Sequence, residues 1–415
     1  MKILLVHIYY TNRSSGASAI VYSTFDSLKK SGHEPYIFAT DAKPYYDENY
    51  PYIKYFPRNK DSWNNASLFD YCKKQLKKIY NKEASDNLAK MLDEVKPDIV
   101  HIHTVWELSY SIIKPIKDRH IPIIYTAHDP QICCPAIFDV GTKYCTNCQG
   151  LNSFPCIQKK CANGNFVISL YTAIKSFIDR LLFPISVIDK IITPSQATMD
   201  YMCQFGIPKD KFVVLDNFIP KEMIKELPNY SDKNYFLFAG GIHKQKGVYT
   251  LIRAMNELPR DIELHIAGES TVQEEYDDIN NYIKNNNLQN VKFLGRLSKE
   301  QMQEEYKNCI SVIMPSEWFE TFGMINIEAA IYGKPSISSN IGGLSDVVED
   351  GKTGLIFEPK NVEQLKKCIL KYWNNRDLAI EHGKAARKKA LREYNEDLYF
   401  ERLIKIYKEV INNAK

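Results

Sequence analysis

The sequence predicts an α/β protein with two doubly wound domains, each built on a parallel sheet covered by helices. Three observations support this fold class. Short β-branched runs alternate with segments of helical periodicity, which is the usual pattern of parallel sheets. The alternation restarts after residues 220–233, a polar stretch with two prolines that suits a linker. The chain has 415 residues, which is more than one hydrophobic core usually serves.

The first domain, residues 1–218, is predicted to hold six strands and four helices. Its strands are short runs rich in β-branched residues, and its helices carry apolar residues at helical spacing. The predicted strands are residues 2–8, 34–39, 98–103, 121–126, 187–192 and 211–217. The predicted helices are residues 19–31, 83–95, 109–118 and 166–182.

The second domain, residues 219–395, repeats the pattern, and one more helix is predicted within the terminal segment 396–415. The predicted strands are residues 235–239, 263–267, 292–294, 310–314, 335–338 and 354–357. The predicted helices are residues 248–257, 274–285, 299–307, 324–332, 361–374, 378–393 and 397–412. Ligands of such sheets bind beyond the carboxyl ends of the strands, so we expect a cleft between the domains.

Composition indicates a soluble protein and argues against several functional classes. Hydrophobic residues make up 44% of the chain and charged residues 25%, both ordinary values. A net charge of +4 is too small to indicate a nucleic-acid partner, and none is expected. No apolar run approaches the roughly 18 residues of a membrane span. The N-terminus is predicted to be a strand rather than a signal peptide, so the expected location is the cytoplasm.

Two glutamates, Glu320 and Glu328, stand eight residues apart around a predicted strand-to-helix loop. Backbone N–H groups at a helix N-terminus favour an anionic group, and a glutamate can accept two hydrogen bonds from a ribose diol. The pair predicts a loop that holds the sugar and the diphosphate of a nucleotide. Taken alone, the same pair also fits a solvated charge beside the helix dipole.

The residues around this pair resemble the signature of retaining glycosyltransferases of family 4. That signature is Pro-Ser, then two glutamates separated by seven residues, with Phe-Gly after the first. Here it is Pro315-Ser316, then Glu320-Thr321-Phe322-Gly323, ending at Glu328. The match continues through Gly333-Lys334-Pro335, Gly342-Gly343 and Asp350-Gly351. The resemblance covers nearly the whole chain and implies a GT-B fold, in which the last helix commonly returns to the first domain.

The resemblance implies a role for each matching residue. Glu328 would hold the ribose hydroxyls of the donor, and Glu320 would bind the hydroxyls of the transferred sugar. A carboxylate near an anomeric carbon is also a possible nucleophile, but the family geometry places Glu320 on the ring hydroxyls. The N–H groups of Phe322, Gly323 and Met324 would face the diphosphate. The remaining donor-binding residues are Gly16, Lys244 and Arg296.

A glycine-rich turn, residues 240–247, matches the place where the family uses an arginine and a lysine to neutralise the leaving diphosphate. Lys246 matches the lysine, whereas Gly241 occupies the position of the arginine. Lys244 is then a second candidate for the missing charge. The turn also fits a tight βα connection with solvated lysines. The chain has no Asp-x-Asp sequence, so no catalytic metal is expected.

In the first domain, Gly16 lies where the family has its glycine-rich loop, although Ser18 as a helix cap explains this segment equally well. His103 and His128 end two predicted strands and are expected at the same edge of the cleft. His128-Asp129 resembles the His-Asp pair of many family members. His128 is therefore predicted to contact the transferred sugar or the diphosphate, as a catalytic residue with Glu320 and Lys246.

Six cysteines fall within residues 133–161, in a cysteine-rich insertion. The four at Cys145, Cys148, Cys156 and Cys161 have spacings that suit a tetrahedral thiolate site for structural zinc or an iron–sulfur cluster. A cysteine-rich insertion with free thiols is the alternative.

The sequence as a whole therefore predicts a retaining hexosyltransferase that uses a nucleotide sugar such as a UDP- or GDP-sugar. Its expected acceptor is a glycan or a lipid-linked saccharide, in surface polysaccharide synthesis of bacterial type. Peripheral membrane contact is suggested by basic apolar segments at residues 71–82 and 166–182, although core-facing helices explain both nearly as well. The alternatives are another GT-B enzyme, an epimerase or a phosphorylase, and a non-catalytic protein that binds through its cysteine module.

Overall fold

A computed structural model of the chain describes residues 1–9, 16–40, 75–105, 108–136, 145–162, 164–231, 233–270 and 272–414. Within these ranges the chain forms two six-stranded sheets, and every pairing between adjacent strands is parallel. Helices connect the strands and cover the sheets. The predicted fold class, α/β with two doubly wound halves, is confirmed.

The first sheet has the strand order β2-β1-β3-β4-β5-β6. The strand order reverses beside β1, and such a switch point opens a crevice at the carboxyl ends of the strands. The strands are β1 Lys2–Tyr9, β2 Glu34–Thr40, β3 Ile99–Ile102, β4 Ile123–Thr126, β5 Lys190–Thr193 and β6 Phe212–Val214. The helices are α1 Gly16–Lys30, α2 Lys82–Val95, α3 Ile113–Lys117, α4 Phe154–Gln158, α5 Phe166–Leu182 and α6 Gln196–Cys203.

The second sheet has the order β12-β11-β10-β7-β8-β9, so its switch point lies between β7 and β10. Its strands are β7 Tyr235–Ala239, β8 Glu263–Ala267, β9 Val291–Gly295, β10 Val312–Met314, β11 Ser336–Ser339 and β12 Gly354–Phe357. The helices of this half are α7 Lys221–Ile224, α8 Val248–Asn256, α9 Gln273–Asn285, α10 Lys299–Asn308, α11 Met324–Ile331, α12 Leu344–Val347, α13 Val362–Asn374 and α14 Arg376–Glu393.

The last helix, α15 Glu396–Asn413, packs on the first sheet. Its buried residues Leu403 and Tyr407 share a core with Ile3 and Leu5 of β1. The chain crosses between the two halves near Ile219 and again near Tyr394. The two crossings lie side by side, since the N–H group of Ile219 donates to the carbonyl of Tyr394 at 2.8 Å. None of the helices in the described ranges has the length and apolar character that crossing a bilayer requires.

The structure corrects the predicted helices in three places. Residues 109–118 form a 3-10 turn, Tyr110–Ile112, followed by α3, because Pro115 lacks an N–H group and fits only the first turn of a helix. Ser18 lies inside α1 rather than capping it. Four short helices, α4, α6, α7 and α12, were not predicted, since eight or fewer residues carry little periodicity. The basic segment 71–82 lies partly outside the described residues.

Candidate functional site

Two loops meet at the switch point of the second sheet, one after β7 and the other after β10. Gly247 ends the first loop with φ of 70°, and a Cβ atom there would lie 1.8 Å from the carbonyl oxygen of Pro315. The N–H group of Glu317 donates to the carbonyl of Gln245 at 2.8 Å. Only a glycine therefore allows the loops to pack this closely, and the packing brings Lys246 to Glu320.

Glu320 accepts three hydrogen bonds through one oxygen, Oε1. The donors are Lys246 Nζ at 2.5 Å, Ser316 Oγ at 2.6 Å and Trp318 Nε1 at 2.9 Å. Lys246 Nζ also lies 5.2 Å from the centre of the Trp318 ring, within cation–π distance. The second carboxylate oxygen faces none of these donors, so the pair is fixed in place while one acceptor atom is left for a ligand.

The protonation state of Glu320 follows from two opposed effects. Burial raises the pKa of Glu320, but attraction to Lys246 and the hydrogen bonds from Lys246, Ser316 and Trp318 outweigh it, and the pKa is lowered overall. The side chains of Glu320 and Lys246 remain 13% and 25% exposed. The site therefore holds an ion pair that is largely shielded from water and still reachable by a ligand.

Glu328 lies on α11, and its Oε2 atom accepts a hydrogen bond from the hydroxyl of Tyr306 at 2.8 Å. Tyr306 is buried and stacks on Tyr332 with a ring separation of 5.8 Å. Burial raises the pKa of Glu328, and the hydrogen bond from Tyr306 opposes that rise. Tyr306 therefore holds one carboxylate oxygen and favours the ionised form that accepts hydrogen bonds from hydroxyl groups.

Replacing Tyr306 with phenylalanine should weaken nucleoside diphosphate binding by about 3- to 10-fold, because Glu328 loses a donor and its pKa rises further. Isothermal titration calorimetry with the nucleoside diphosphate that the wild-type protein binds measures the change in affinity. Tyr332→Phe is the matched control, since its ring stacks on Tyr306 while the hydroxyl that donates to Glu328 is that of Tyr306. Equal affinities for the two variants would remove Tyr306 from the site.

The N-terminus of α11 is open to an anionic group. Gly323 precedes the helix with φ of 109°, and no side chain from the described ranges caps it. The first N–H groups of a helix have no acceptor within the helix. The amide nitrogen Nδ2 of Asn326, although buried, has no hydrogen-bond partner among the described residues. These donors suit the diphosphate group that the sequence predicts here.

Contacts between the two halves surround the same helix start. A Cβ atom on Gly16 would lie 3.7 Å from Met324 Cγ, so α1 begins directly beside α11. The hydroxyl of Thr321 donates to the carbonyl of His128 at 3.0 Å, and the hydroxyl of Thr198 donates to the carbonyl of Thr321 at 3.1 Å. The loop that carries Glu320 therefore touches the first half through the backbone of His128, and the helix that follows it starts beside Gly16.

Four histidines form a cluster at the carboxyl ends of β1, β3 and β4. His103 Nδ1 lies 3.0 Å from His128 Nε2, and the two rings stack with centres 5.2 Å apart. His101 packs against His103 with centres 4.0 Å apart, and His7 meets His103 edge-on. His103 and His128 thus lie side by side. His7 and His101 were not predicted, because neither ends a run of strand residues.

Burial lowers the pKa of every member of this cluster. The pKa of His7 falls to about 4 and those of His101 and His128 to about 3, while that of His103 falls well below its usual value. Repulsion from other histidines adds to burial for His101, His103 and His128. All four are therefore neutral at pH 7, and His128 acts there as a hydrogen-bonding group without charge.

Stability should fall as the pH drops below 6.5. A histidine with a lowered pKa in the folded state stabilises the fold above its unfolded pKa and loses that contribution as the pH falls toward the folded pKa. Burial also raises the pKa of Asp129 to about 6, which opposes the trend. We expect the free energy of unfolding to fall by roughly 4 kcal/mol between pH 7 and pH 5.5.

Urea unfolding at several pH values measures this loss. His7→Gln should reduce the slope of stability against pH by about a quarter, since it removes one of four titrating groups. His120→Asn is the control, because His120 is exposed and asparagine tolerates its φ of 52°. Stability that is flat down to pH 5 would contradict the buried cluster.

The cysteines do not support the predicted metal site. Cys145, Cys148, Cys156 and Cys161 do line one small cavity, together with Cys134. Among the described residues, however, no group of three or more histidine, cysteine, aspartate or glutamate side chains is arranged to hold a metal ion. Burial raises the pKa of the Cys134 and Cys156 thiols to about 12, so both are protonated at neutral pH. The structure therefore does not show a metal site among the described residues, and the zinc or iron–sulfur site stays a prediction.

The remaining predicted donor residues lie at the margin of the site. Lys244 is exposed, and its backbone N–H group donates to Glu275. A Cβ atom on Gly241 would lie 2.9 Å from the ring of His243, so this ring occupies the space that a side chain at 241 needs. Arg296 is exposed and follows β9, the edge strand, whereas Glu320 follows β10 across two intervening strands.

Several residues of the site are not predicted by the sequence. Trp318 and Ser316 lie within the motif around Glu320. Their side-chain nitrogen and oxygen donors, so close to Glu320 in sequence, were the signal that could have predicted their hydrogen bonds to it. The sequence contains no comparable signal for Tyr306 and Asn326, because each reaches its place through the packing of a helix on the second sheet. The contact of Thr321 with His128 joins residues 193 positions apart.

Two family profiles match the chain over adjacent segments. The profile described as Glycosyltransferase Family 4 covers residues 14–222, and the profile described as Glycosyl transferases group 1 covers residues 220–389. The first accounts for half of the chain. The boundary between the two segments lies within a few residues of Ile219, where the chain leaves the first sheet.

Curated relatives include an uncharacterized glycosyltransferase (MJ1178) of Methanocaldococcus jannaschii, 35% identical over 44% of this chain and 50% of the relative. The D-rhamnosyltransferase WbpZ of Pseudomonas aeruginosa is 30% identical over 44% of this chain and 46% of its own length. The O-antigen chain mannosyltransferase C of Escherichia coli is 26% identical over 43% of this chain and 48% of its own length. The chain thus spans about half the length of such relatives.

Solved structures resemble the chain over its full length. Sucrose-phosphate synthase of Thermosynechococcus elongatus superposes with a TM-score of 0.73 at 16% identity, covering 99% of both chains. HepE of Anabaena, solved with UDP-glucose, gives a TM-score of 0.71 at 16% identity and covers 99% of this chain and 100% of its own. At these identities the likeness bears on the fold, and it agrees with the predicted GT-B arrangement.

Proposed function

Because the chain belongs to the glycosyltransferases of family 4, we propose that it transfers a hexosyl-type sugar from a nucleotide sugar and retains the anomeric configuration. The observation that carries the proposal is the Lys246–Glu320 ion pair beside the uncapped start of α11. Together these groups offer a cation, N–H donors and a hydrogen-bond acceptor on two adjoining loops. A sugar joined to a diphosphate needs all three.

In the proposed reaction, the bond between C1 of the sugar and the diphosphate oxygen breaks, and the diphosphate leaves with the bonding electrons. Lys246 and the N–H groups of Phe322, Gly323 and Met324 stabilise its developing charge, which is the largest demand of such a reaction. An acceptor hydroxyl attacks C1 from the face that the diphosphate leaves. Its proton passes to an oxygen of the leaving phosphate, so no separate protein base is required.

The carboxylates and the histidine orient the donor in this scheme. Glu328 accepts hydrogen bonds from the ribose hydroxyls, and Tyr306 fixes its orientation. Glu320 holds Lys246 with one oxygen and binds a hydroxyl of the transferred sugar with the other. His128 is neutral at pH 7 and hydrogen-bonds the sugar or the diphosphate without adding charge.

We assign donor binding to residues 219–395 and acceptor binding to residues 1–218. The proposed donor is a UDP- or GDP-sugar, and the solved complex of HepE with UDP-glucose supports this choice by fold similarity. The proposed acceptor is a glycan or a lipid-linked saccharide at the cytoplasmic face of a membrane. Support comes from relatives that include an O-antigen chain mannosyltransferase.

Binding of nucleoside diphosphates and nucleotide sugars tests this function most simply. A ligand at 100 times its dissociation constant should stabilise the protein by about 2.7 kcal/mol, which a thermal-shift screen of UDP, GDP and their sugars detects. Uridine and guanosine, which lack the diphosphate, are the matched controls and should shift the melting temperature little. A flat response to every nucleotide would rule out the proposed donor site.

A further inference from the structure

Helix α5 has its large apolar side chains on the outside. Its buried residues are Ser169, Ala173, Ser176 and Asp179, which are small or polar. A helix that serves the core of its own protein has the opposite arrangement. The exposed side chains are Phe166, Val167, Ile168, Leu170, Ile174, Phe177 and Leu181, and their exposure runs from 37% to 70%.

Exposed apolar residues concentrate around this helix. Fourteen large apolar side chains are exposed in the described residues, and seven of them belong to α5. Leu151 and Phe154 extend the surface through α4, which packs on α5. Leu76 and Tyr80 extend it on the other side, where the hydroxyl of Tyr171 donates to the carbonyl of Gln75 at 3.0 Å. Soluble proteins rarely expose so continuous an apolar surface without a partner.

The inner face of α5 does not explain the helix either. Tyr171, Thr172 and Ser176 line a cavity of about 670 Å³, which extends to Gln131 and Cys133 in the loop after β4. The helix therefore leaves open space beneath it instead of filling the core.

Charge identifies the occupant of this surface. Residues 145–178 contain three lysines and no acidic residue. One of the three, Lys175, is largely shielded from water and pairs with Asp179. Lys159 and Lys160 are exposed at the end of α4, beside the apolar surface. A basic rim around an apolar helix face is typical of helices that lie in an anionic lipid interface. We propose that α5 and its flanking residues dock the protein on an anionic lipid bilayer.

A second copy of the chain is the rival occupant, because Val167, Leu170, Ile174, Phe177 and Leu181 follow the three-and-four spacing of a coiled-coil seam. Two observations favour the bilayer. Phe154, Phe166 and Ile168 make the surface broader than such a seam. Two identical faces would also bring Lys159 and Lys160 of both copies together, and residues 145–178 contain no acidic residue to pair them.

Flotation with lipid vesicles tests the proposal, independently of any transfer activity. The wild-type protein should float with vesicles of phosphatidylcholine and 30% phosphatidylglycerol. The triple variant Val167→Ser, Ile174→Ser, Leu181→Ser should bind at least about 10-fold more weakly. Leu227→Ser with Val272→Ser, at exposed apolar positions away from α5, is the matched control and should bind like the wild type.

Neutralising Lys159 and Lys160 provides a second variant that leaves α5 intact. Lys159→Gln with Lys160→Gln should weaken binding to the anionic vesicles by about fivefold for each lysine removed. Binding to pure phosphatidylcholine vesicles should be unchanged. Unaltered melting temperatures and nucleotide binding of all variants would separate a lost docking surface from a lost fold or donor site.

Three results would overturn the proposal. The first is wild-type protein that stays unbound at every vesicle composition. The second is a triple variant that binds as well as the wild type. The third is a wild-type dimer in light scattering that the triple variant converts to monomer, because the surface is then an interface between copies.

Discussion

Replacing Lys246 with methionine is expected to lower kcat by about 100- to 1,000-fold, the largest effect of any single substitution in the site. Methionine keeps much of the side-chain volume and removes the charge. The leaving diphosphate then loses a cation that is held in place by Glu320 at 2.5 Å and by the ring of Trp318. Release of nucleoside diphosphate under saturating donor measures kcat directly.

The matched control is Lys292→Met, which removes a surface lysine that pairs with Glu263, and its kcat should stay within about twofold of the wild type. Lys244→Met tests the other candidate cation. Because Lys244 is exposed, its loss should cost much less than that of Lys246. A larger effect at Lys244 than at Lys246 would reverse the assignment of the leaving-group cation.

Substitutions in the Lys246–Glu320 pair should affect the stability of the fold and kcat differently. Lys246→Met leaves the shielded carboxylate of Glu320 without its partner, which should destabilise the fold by about 1–3 kcal/mol. Adding Glu320→Gln to that variant should restore most of the stability, because the unpaired charge is gone. It should not restore kcat. Recovery of both would mean that the pair serves the fold alone.

Replacing Glu328 with alanine should weaken donor binding by about 10- to 100-fold, the loss expected for hydrogen bonds to a charged acceptor. The change should appear in the KM for the donor more than in kcat, because the ribose contacts are the same in the ground state and the transition state. Calorimetric titration with the nucleoside diphosphate measures the affinity.

Deoxyribose analogues make this second prediction specific to the ribose. The wild-type protein should bind 2′-deoxy and 3′-deoxy nucleoside diphosphates more weakly than the natural ones, whereas the Glu328→Ala variant should bind all of them alike. Glu304→Gln, at an exposed position on α10, is the control and should behave as the wild type. Discrimination that persists without Glu328 would assign the ribose to another residue.

The sequence predicted the two sheets well because the relevant information is local. All twelve strands were expected within a few residues of their observed bounds, since short β-branched runs bounded by turn residues differ clearly from helical periodicity. The positions of Lys246 and Glu320 follow from the same pattern. Loops after strands of one parallel sheet open at the same edge, and those after β7 and β10 flank its switch point.

Other features depend on packing that no local pattern records. The periodicity of residues 166–182 predicts α5 correctly, yet it does not tell which face is buried, and here the small residues face inward. The histidine cluster joins three strands that are far apart in sequence. The spacing of the four cysteines predicts a metal site, but the described geometry provides none. Ligand spacing limits where thiols can lie without fixing where their sulfur atoms point.

Whether the protein is a retaining transferase is decided by the stereochemistry of the sugar that it releases. The wild-type protein is incubated with the nucleotide sugar that binds best, and proton NMR follows the anomeric signal of the first product. We expect that nucleoside diphosphate is released and that an α-linked donor gives an α product, with both signals lost in Lys246→Met. A β product, or no release from any donor by the wild-type protein, would contradict this expectation.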